Sequence, residues 1–299
     1  MDSNYIALMR ARSLLLWFDS GAGPSLAGAT IPTKQIDWVR VLPFLGMHFA
    51  CLGVFLVGWQ PRAVAVAAGL YLVRMFAITG YYHRYFSHRT FRTSRSVQFV
   101  FALLGASATQ RGPLWWAAHH RKHHRHSDTE LDVHSPREHG FWWSHMGWVT
   151  AADNFPTDLR EVRDLAKYPE LRWLDRFDIL VPVILGTALF LFGGWAFLIW
   201  GYFVSTVVLF HATSLINSMA HRVGSRRYET DDDSRNSLAL AVITLGEGWH
   251  NNHHKYPGAA RQGFFWWEID ITYYGLLLLA RLRIIRDLRP VPSRLLGCT

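Results

Sequence analysis

Three histidine-rich stretches carry the chemistry available to this chain of 299 residues, which holds 16 histidines and two cysteines. His120, His123 and His124 form HRKHH, His250, His253 and His254 form HNNHH, and His83 and His88 close the ends of HRYFSH. At this histidine content one chance copy of His-x-x-His-His is expected on the order of 0.05 times, and there are two. Residues at i, i+3 and i+4 share a helix face, with Cβ atoms about 5–6 Å apart, so each copy converges three imidazoles on one region. His83 and His88, at i and i+5, are about 140° apart on an ideal α-helix, so their box requires a helix end or a distortion. Neutral imidazole suits iron, copper, zinc or nickel, and eight box histidines are too many for one ion of six or fewer ligands, so two metals follow. His126 and His139 read instead as solvated members of a basic face.

The elements that must position these groups are strongly apolar. Half of the residues are hydrophobic, only 18% are charged, and 14 Trp with 19 Phe point to a membrane and not to a soluble globule. Four segments, at about 39–57, 63–79, 177–192 and 195–215, have about the length a bilayer requires. Short turns join them in pairs, which predicts an all-α integral membrane fold: two helical hairpins forming a four-helix stem, with a helical cytosolic cap. Pro43, His48, Arg74, Pro182 and His211 interrupt the segments, and such groups usually face other helices or a cavity. The stretches 97–108 and 269–282 read as helices lying at the interface.

The formal charge of +9 fits a nucleic-acid binder or an anionic bilayer surface, and its location decides between them. All Lys and Arg except Arg62 and Arg74 fall on one side if both short turns face the other, which makes that side the cytosol. No nucleic-acid-binding motif appears, and none is expected as a partner. Cys51 and Cys298 cannot form a thiolate redox or zinc centre. Arg10 and Arg12 precede SLLLWF, too short for a signal-peptide core, so residues 1–38 read as a cytosolic tail. A domain over 39–285 and a tail over 286–299 complete the division.

HRYFSHRTF, HRKHH followed by HSDTELDVHS, GFWWSHMGW, NSMAH at 217–221 and GEGWHNNHHKYP resemble, in order and spacing, the membrane fatty acyl desaturases of the stearoyl-CoA (delta-9) type. The resemblance runs over about 80–285. It implies a di-iron centre held by His83, His88, His120, His123, His124, His221, His250, His253 and His254, with Asn217 reaching iron through water and no catalytic group beyond these ligands. It also implies O2 as co-substrate and a cis double bond as product. Gln110, Trp116 and Thr213 match residues that kink the acyl tunnel, whose closed end is expected between the first hairpin's helices near Ala67 and Tyr71. Asp128, Glu130, Asp132 and Glu247 are candidates to hold the outer nitrogens of the imidazoles, since ligating histidines normally donate their second N–H to a carboxylate or carbonyl.

The chain departs from the acyl-CoA members at the carrier end. Ala118-His119 stands where they carry Arg-Asp, and Ala152-Asp153 where they carry a basic pair. Acyl-CoA is the first expectation, with Arg111 or Arg95 replacing the missing phosphate contacts; an acyl-lipid or an acyl-carrier protein is the alternative. Electrons are expected from a separate donor such as cytochrome b5, ferredoxin or rubredoxin with its reductase, docking on the cationic cap. The expected location is a bacterial plasma membrane, multi-pass, with cap and both termini cytoplasmic and membrane lipid around the stem. The rivals are a di-iron hydroxylase and, from another class, a histidine-rich metal transporter, against which the boxes lie outside the spans.

Overall fold

The computed structural model describes residues 15–22 and 34–297; Arg10, Arg12, Cys298 and most of the expected N-terminal tail lie outside them. Among the described residues, three helices are long and apolar enough to cross a membrane: α1 (Trp38–Val57), α2 (Pro61–Ser87) and α6 (Leu180–Met219). Around them stand α3 (Arg95–Ala106), α4 (Pro113–His126), α5 (Pro169–Arg176), α7 (Leu238–Ile243), α8 (His250–Lys255) and α9 (Ile271–Arg281). Strands β1 (Arg92–Thr93) and β2 (Ile285–Arg286) pair antiparallel, with Arg92 opposite Arg286, and tie the end of the chain to the segment after the first histidine box.

Four separate spans were the expectation, but the third and fourth run together in α6. The reason is local. Gly194 leaves helical geometry (φ 62°, ψ −155°) without interrupting the helical segments on either side. A Cβ added at Gly186 would meet Leu198 at 3.6 Å and Tyr202 at 3.7 Å, whereas twelve residues of straight helix span about 18 Å. α6 therefore folds back on itself at Gly194, a position whose left-handed φ favours glycine. The expected pairing of α1 with α2 is also modified, because α6 packs against both: Ile199 crowds Gly53 of α1, and Ser205 Oγ donates to the Ala67 carbonyl of α2 (2.9 Å). Leu42, Phe49, Phe55, Leu72, Ile184 and Phe192 are exposed on these helices, an apolar surface that water does not favour.

Local chemistry sets the helix ends. Asp37 caps α1 by accepting from Arg40 N (3.1 Å), Pro61 opens α2 where its missing N–H is harmless, and Asp270 caps α9 by accepting from Tyr273 N (2.9 Å). The buried charge of Arg74 is spread over oxygens: it donates to Thr206 Oγ1 (2.7 Å), Ser205 Oγ (2.6 Å) and the carbonyls of Leu70 and Ser107. The main core lies where α2, α3, α4, α5 and α9 meet, around Tyr82, Phe86, Phe101, Leu114, Leu171 and Leu276.

Candidate metal centre

The last eleven residues of α2, Ala77–Ser87, are wound as a π-helix, and His88 N bonds back to the His83 carbonyl (3.2 Å). The wider turn of i→i+5 bonding brings residues five apart nearer to one face than an α-helix does, which relieves the angular mismatch of the first box. The His83 and His88 rings are 4.9 Å apart, centroid to centroid. α4 supplies His120, His123 and His124. Its N-terminus is held by Asp175 of α5, which accepts from Leu114 N (2.9 Å) and Trp115 N (2.8 Å). α8 supplies His250, His253 and His254, and His221 follows α6 by two residues.

The nine histidines divide into two groups. His83, His88, His120, His124 and His253 form one; His123, His221, His250 and His254 form the other; in each, one nitrogen per ring lies within 4.8 Å of every other. The boxes are thus shared: α4 sends His120 and His124 to one group and His123 to the other, and α8 sends His253 to one and His250 with His254 to the other. All nine are buried or half-buried.

Carboxylates fix the outer nitrogens. Asp132 accepts from His123 Nδ1 (2.9 Å), Asp128 from His221 Nδ1 (2.8 Å), Asp232 from His254 Nδ1 (2.5 Å), and Glu247 from His83 Nδ1. With its proton on Nδ1, a neutral ring presents a bare lone pair at Nε2. Nε2 atoms, those of His83 and His221 among them, face one another in both groups: His83 and His253 at 2.9 Å, His253 and His124 at 2.9 Å, His88 and His120 at 2.8 Å, His221 and His250 at 3.0 Å. His254 Nε2 is buried with no hydrogen-bond partner. Converging lone pairs and an orphaned nitrogen are what a cation in each group resolves, and an all-imidazole donor set fits iron.

Burial holds the imidazoles of His88, His120, His124, His250 and His253 well below the ordinary histidine value, so they are neutral donors. Burial also opposes charge on Asp132, yet His123 and His134 together hold it far below the usual carboxylate range. Arg84, beside His83, bridges Asp270 (3.0 Å) and Glu247 (3.1 Å) and so anchors the carboxylate that orients His83.

Three of the four expected outer carboxylates take that place, while Glu130 is exposed. Asp232 was missed; it sits in the run Asp231–Asp232–Asp233, which reads as solvated charge. His134 was also missed: its Nδ1 is 3.2 Å from Asp132 Oδ1, its ring packs 4.5 Å from His123, and its signal was the second histidine of HSDTELDVHS. Asn217 lies one turn before His221, and its carbonyl is 3.2 Å from Ser144 Oγ.

Among the expected substrate residues, Gln110 Nε2 donates to Thr213 Oγ1 (2.8 Å), and Trp116 stacks on His120 (5.0 Å, 22°). Ala67 is buried, with its carbonyl accepting from Ser205 Oγ of α6 (2.9 Å), and Tyr71 Oη donates to the Ile243 carbonyl (2.6 Å). Arg111 is ion-paired with Asp178 (2.8 Å), Arg95 with Glu170 (2.7 Å), and the half-buried His119 bonds to the Trp115 carbonyl (3.0 Å).

A helical protein with three membrane-length apolar helices and two adjoining histidine groups is defined by these features. The chain belongs to the fatty acid desaturase family, whose sequence pattern matches residues 57–273; it is a family of di-iron-dependent oxidoreductases. It is 40% identical over 264 residues to the sn-1 stearoyl-lipid 9-desaturase of Anabaena variabilis, covering 87% of this chain and 97% of the relative. It is 36% identical over 280 residues to the sn-2 palmitoyl-lipid 9-desaturase of Nostoc sp., covering 89% and 96%. It is 39% identical over 275 residues to an acyl-CoA 5-desaturase of Anemone leveillei, covering 87% and 84%.

Proposed function

We propose that this protein is an oxygen-dependent desaturase that introduces a cis double bond at the ninth carbon of an acyl chain carried by a membrane lipid. The observation that carries the reading is the division of nine histidines into groups of five and four whose inner nitrogens face one another. In this reading His83, His88, His120, His124 and His253 hold one iron, and His123, His221, His250 and His254 hold the other, with Asn217 contributing through water. The bound irons supply the oxidising power, drawn from O2, that removes hydrogen from an unactivated CH2.

The protein's own part is to bind, orient and keep water out. Asp128, Asp132, Asp232 and Glu247 keep Nδ1 of His221, His123, His254 and His83 protonated and their Nε2 free, which fixes tautomer and direction in these four rings. Trp116 against His120 and the Gln110–Thr213 bond support a bent apolar passage beside the first group, so that position along the chain is chosen by shape.

For the carrier, a lipid is favoured over coenzyme A. Ala118-His119 and Ala152-Asp153 offer no cationic pair, and Arg111 and Arg95, the proposed substitutes, are ion-paired already. The two 9-desaturases above act on acyl-lipids by name. In the same reading α1, α2 and both arms of α6 cross the membrane, giving four spans, with cap and termini in the cytoplasm of a bacterium. Electrons arrive from an external carrier such as ferredoxin, rubredoxin or cytochrome b5.

The test is a choice of carrier. Iron-loaded protein in lipid vesicles, with ferredoxin and its reductase, is given isotope-labelled stearate either esterified in the vesicle lipid or as stearoyl-CoA. Label is expected in a 9-unsaturated chain from the lipid only; conversion of stearoyl-CoA alone would contradict the lipid assignment, and hydroxylated chains would point to the hydroxylase.

A further inference from the structure

Helix α9 is apolar on more than one face. Thr272 and Leu276 are buried against α2: Thr272 Oγ1 is 2.7 Å from Thr79 Oγ1, and Phe76 packs on Gly275. Ile271, Tyr274, Leu278 and Leu282 form a second stripe at helical spacing, and all four are exposed. A helix that is apolar all round belongs in a core or in lipid. α9 meets α2 at Phe76–Gly80, next to the point where α2 passes from exposed Leu72 and Val73 to the wholly buried stretch Ala77–Ser87. Its outer stripe therefore adjoins the end of the apolar exterior of a membrane-length helix.

The charge changes abruptly where α9 ends. Arg281, Arg283, Arg286 and Arg289 follow one another closely and are all exposed, with Asp287 the one acid among them. Asp287 is engaged by Arg92 of β1 (3.6 Å), which stands opposite Arg286 in the strand pair. Arg283 and Arg286 have no acceptor among the described residues. Both stand at an open cleft of about 540 Å³ whose wall is Leu277 and Ala280 of α9 with Ile285 and Leu288. That is the size of a small-ligand site. Left-handed φ at Arg283 (59°) and Asp287 (56°) brackets β2, a conformation that glycine adopts more readily than either residue present.

The composition of the cleft selects its ligand. A small free anion would leave the apolar wall bare, and a wholly apolar molecule would leave two guanidinium groups without acceptors. An amphiphile with an anionic head satisfies both, and the planar guanidinium fork matches phosphate oxygens. We infer that this cleft binds the headgroup of one anionic phospholipid from the leaflet on which α9 rests. Arg283 and Arg286 take the phosphate, and Leu277, Ala280 and Leu288 lie along the start of the tail. An acidic protein would suit the arginines but not the exposed apolar stripe beside them. The site is an anchor and not the place of reaction. Its floor is tied to the segment after the first histidine box, because Arg289 N donates to the Thr90 carbonyl (2.8 Å) and β2 pairs with β1, so a bound lipid holds that segment against the bilayer. The inference goes beyond the proposed reaction and requires only that α2 crosses the membrane.

The test uses the full chain in detergent with equal amounts of phosphatidylglycerol and phosphatidylcholine, read by native mass spectrometry. The parent is expected to retain one phosphatidylglycerol in preference to phosphatidylcholine. Arg283→Gln and Arg286→Gln are each expected to weaken that retention about fivefold. Arg281→Gln removes the same charge from outside the cleft and is expected to keep the lipid. Equal loss in Arg281→Gln would reduce the effect to general attraction by a basic surface and overturn the site, as would unchanged retention when Arg283 and Arg286 are replaced together. Displacement of the lipid by inorganic phosphate or by stearoyl-CoA would overturn the lipid assignment. Unchanged lipid retention in the variants with weaker binding of an acidic electron carrier would give the arginines to a protein partner instead. A parent that resists alkaline carbonate extraction yet shows no lipid preference would overturn the site and leave the membrane spans standing.

Discussion

Asp232 shows how much of a metal site lies outside its ligands. It receives the Nδ1 proton of His254 at 2.5 Å, and burial pushes that histidine down to about 4 against the pull of the carboxylate. Asp232→Asn weakens the acceptor and frees the ring to choose the other tautomer. We expect a 10–100-fold loss of iron affinity confined to the four-histidine group, read as a fall from about two irons towards one by metal analysis. Glu130→Gln, exposed and away from the rings, is expected to leave iron content unchanged; equal loss in both would contradict the assignment of the outer carboxylates. The two His-x-x-His-His boxes were legible because three imidazoles on one helix face are a pattern of composition and spacing. Which histidine serves which group was not, since neighbours on one helix turn to different centres. His221 came only through family resemblance, and Asp232 was hidden because its partner is 22 residues away and its neighbours are also aspartates.

The elements that carry the boxes depend on close contacts at a few positions. Gly248 lies where an added Cβ would be 2.1 Å from Ala241 N and 2.4 Å from the Ser237 carbonyl, backbone atoms that cannot yield. Gly248→Ala is expected to displace the start of α8 from α7, with loss of iron and of most folded protein on size-exclusion chromatography; normal yield and iron content would contradict this packing. At α4, burial pushes the Asp175 carboxyl up to about 6. Because this folded value exceeds the unfolded one, folding takes up a proton between about pH 4 and 6. The ionised side chain thus costs stability as pH rises through that window, by about 3 kcal/mol at its upper end. Asp175→Asn keeps an acceptor for Leu114 N and Trp115 N without the charge. Its Tm relative to the parent is expected to rise from pH 4.5 to 7, and a flat difference would contradict the buried charge. The apolar helices were legible in the sequence, and the i, i+5 spacing of His83 and His88 announced a distortion that proved to be a π-helix. The sequence did not reveal that α6 packs against both α1 and α2, because neighbour relations among apolar helices are settled by small residues such as Gly53 and Gly201 meeting side chains far along the chain.

At the scale of the whole molecule, helices long and apolar enough to cross a membrane lead into the elements that gather every box histidine, which is the arrangement the proposed reaction on a membrane acyl chain requires. In the proposed orientation the basic excess of the chain faces the cytosol between anionic lipid and an acidic electron carrier, and donor-supported turnover should then fall as salt is raised. The central claim is that the nine histidines run an oxygen-dependent desaturation of membrane acyl chains. Its most direct test is the lipid profile of a host lacking its own desaturase and supplying a competent electron donor, by mass spectrometry with double-bond localisation. Expression of the parent is expected to yield cis 9-unsaturated chains in the membrane lipids, and His120→Ala and His253→Ala, equally expressed, to yield none. The absence of any new unsaturated chain with the parent, or its persistence in both histidine variants, would contradict the account.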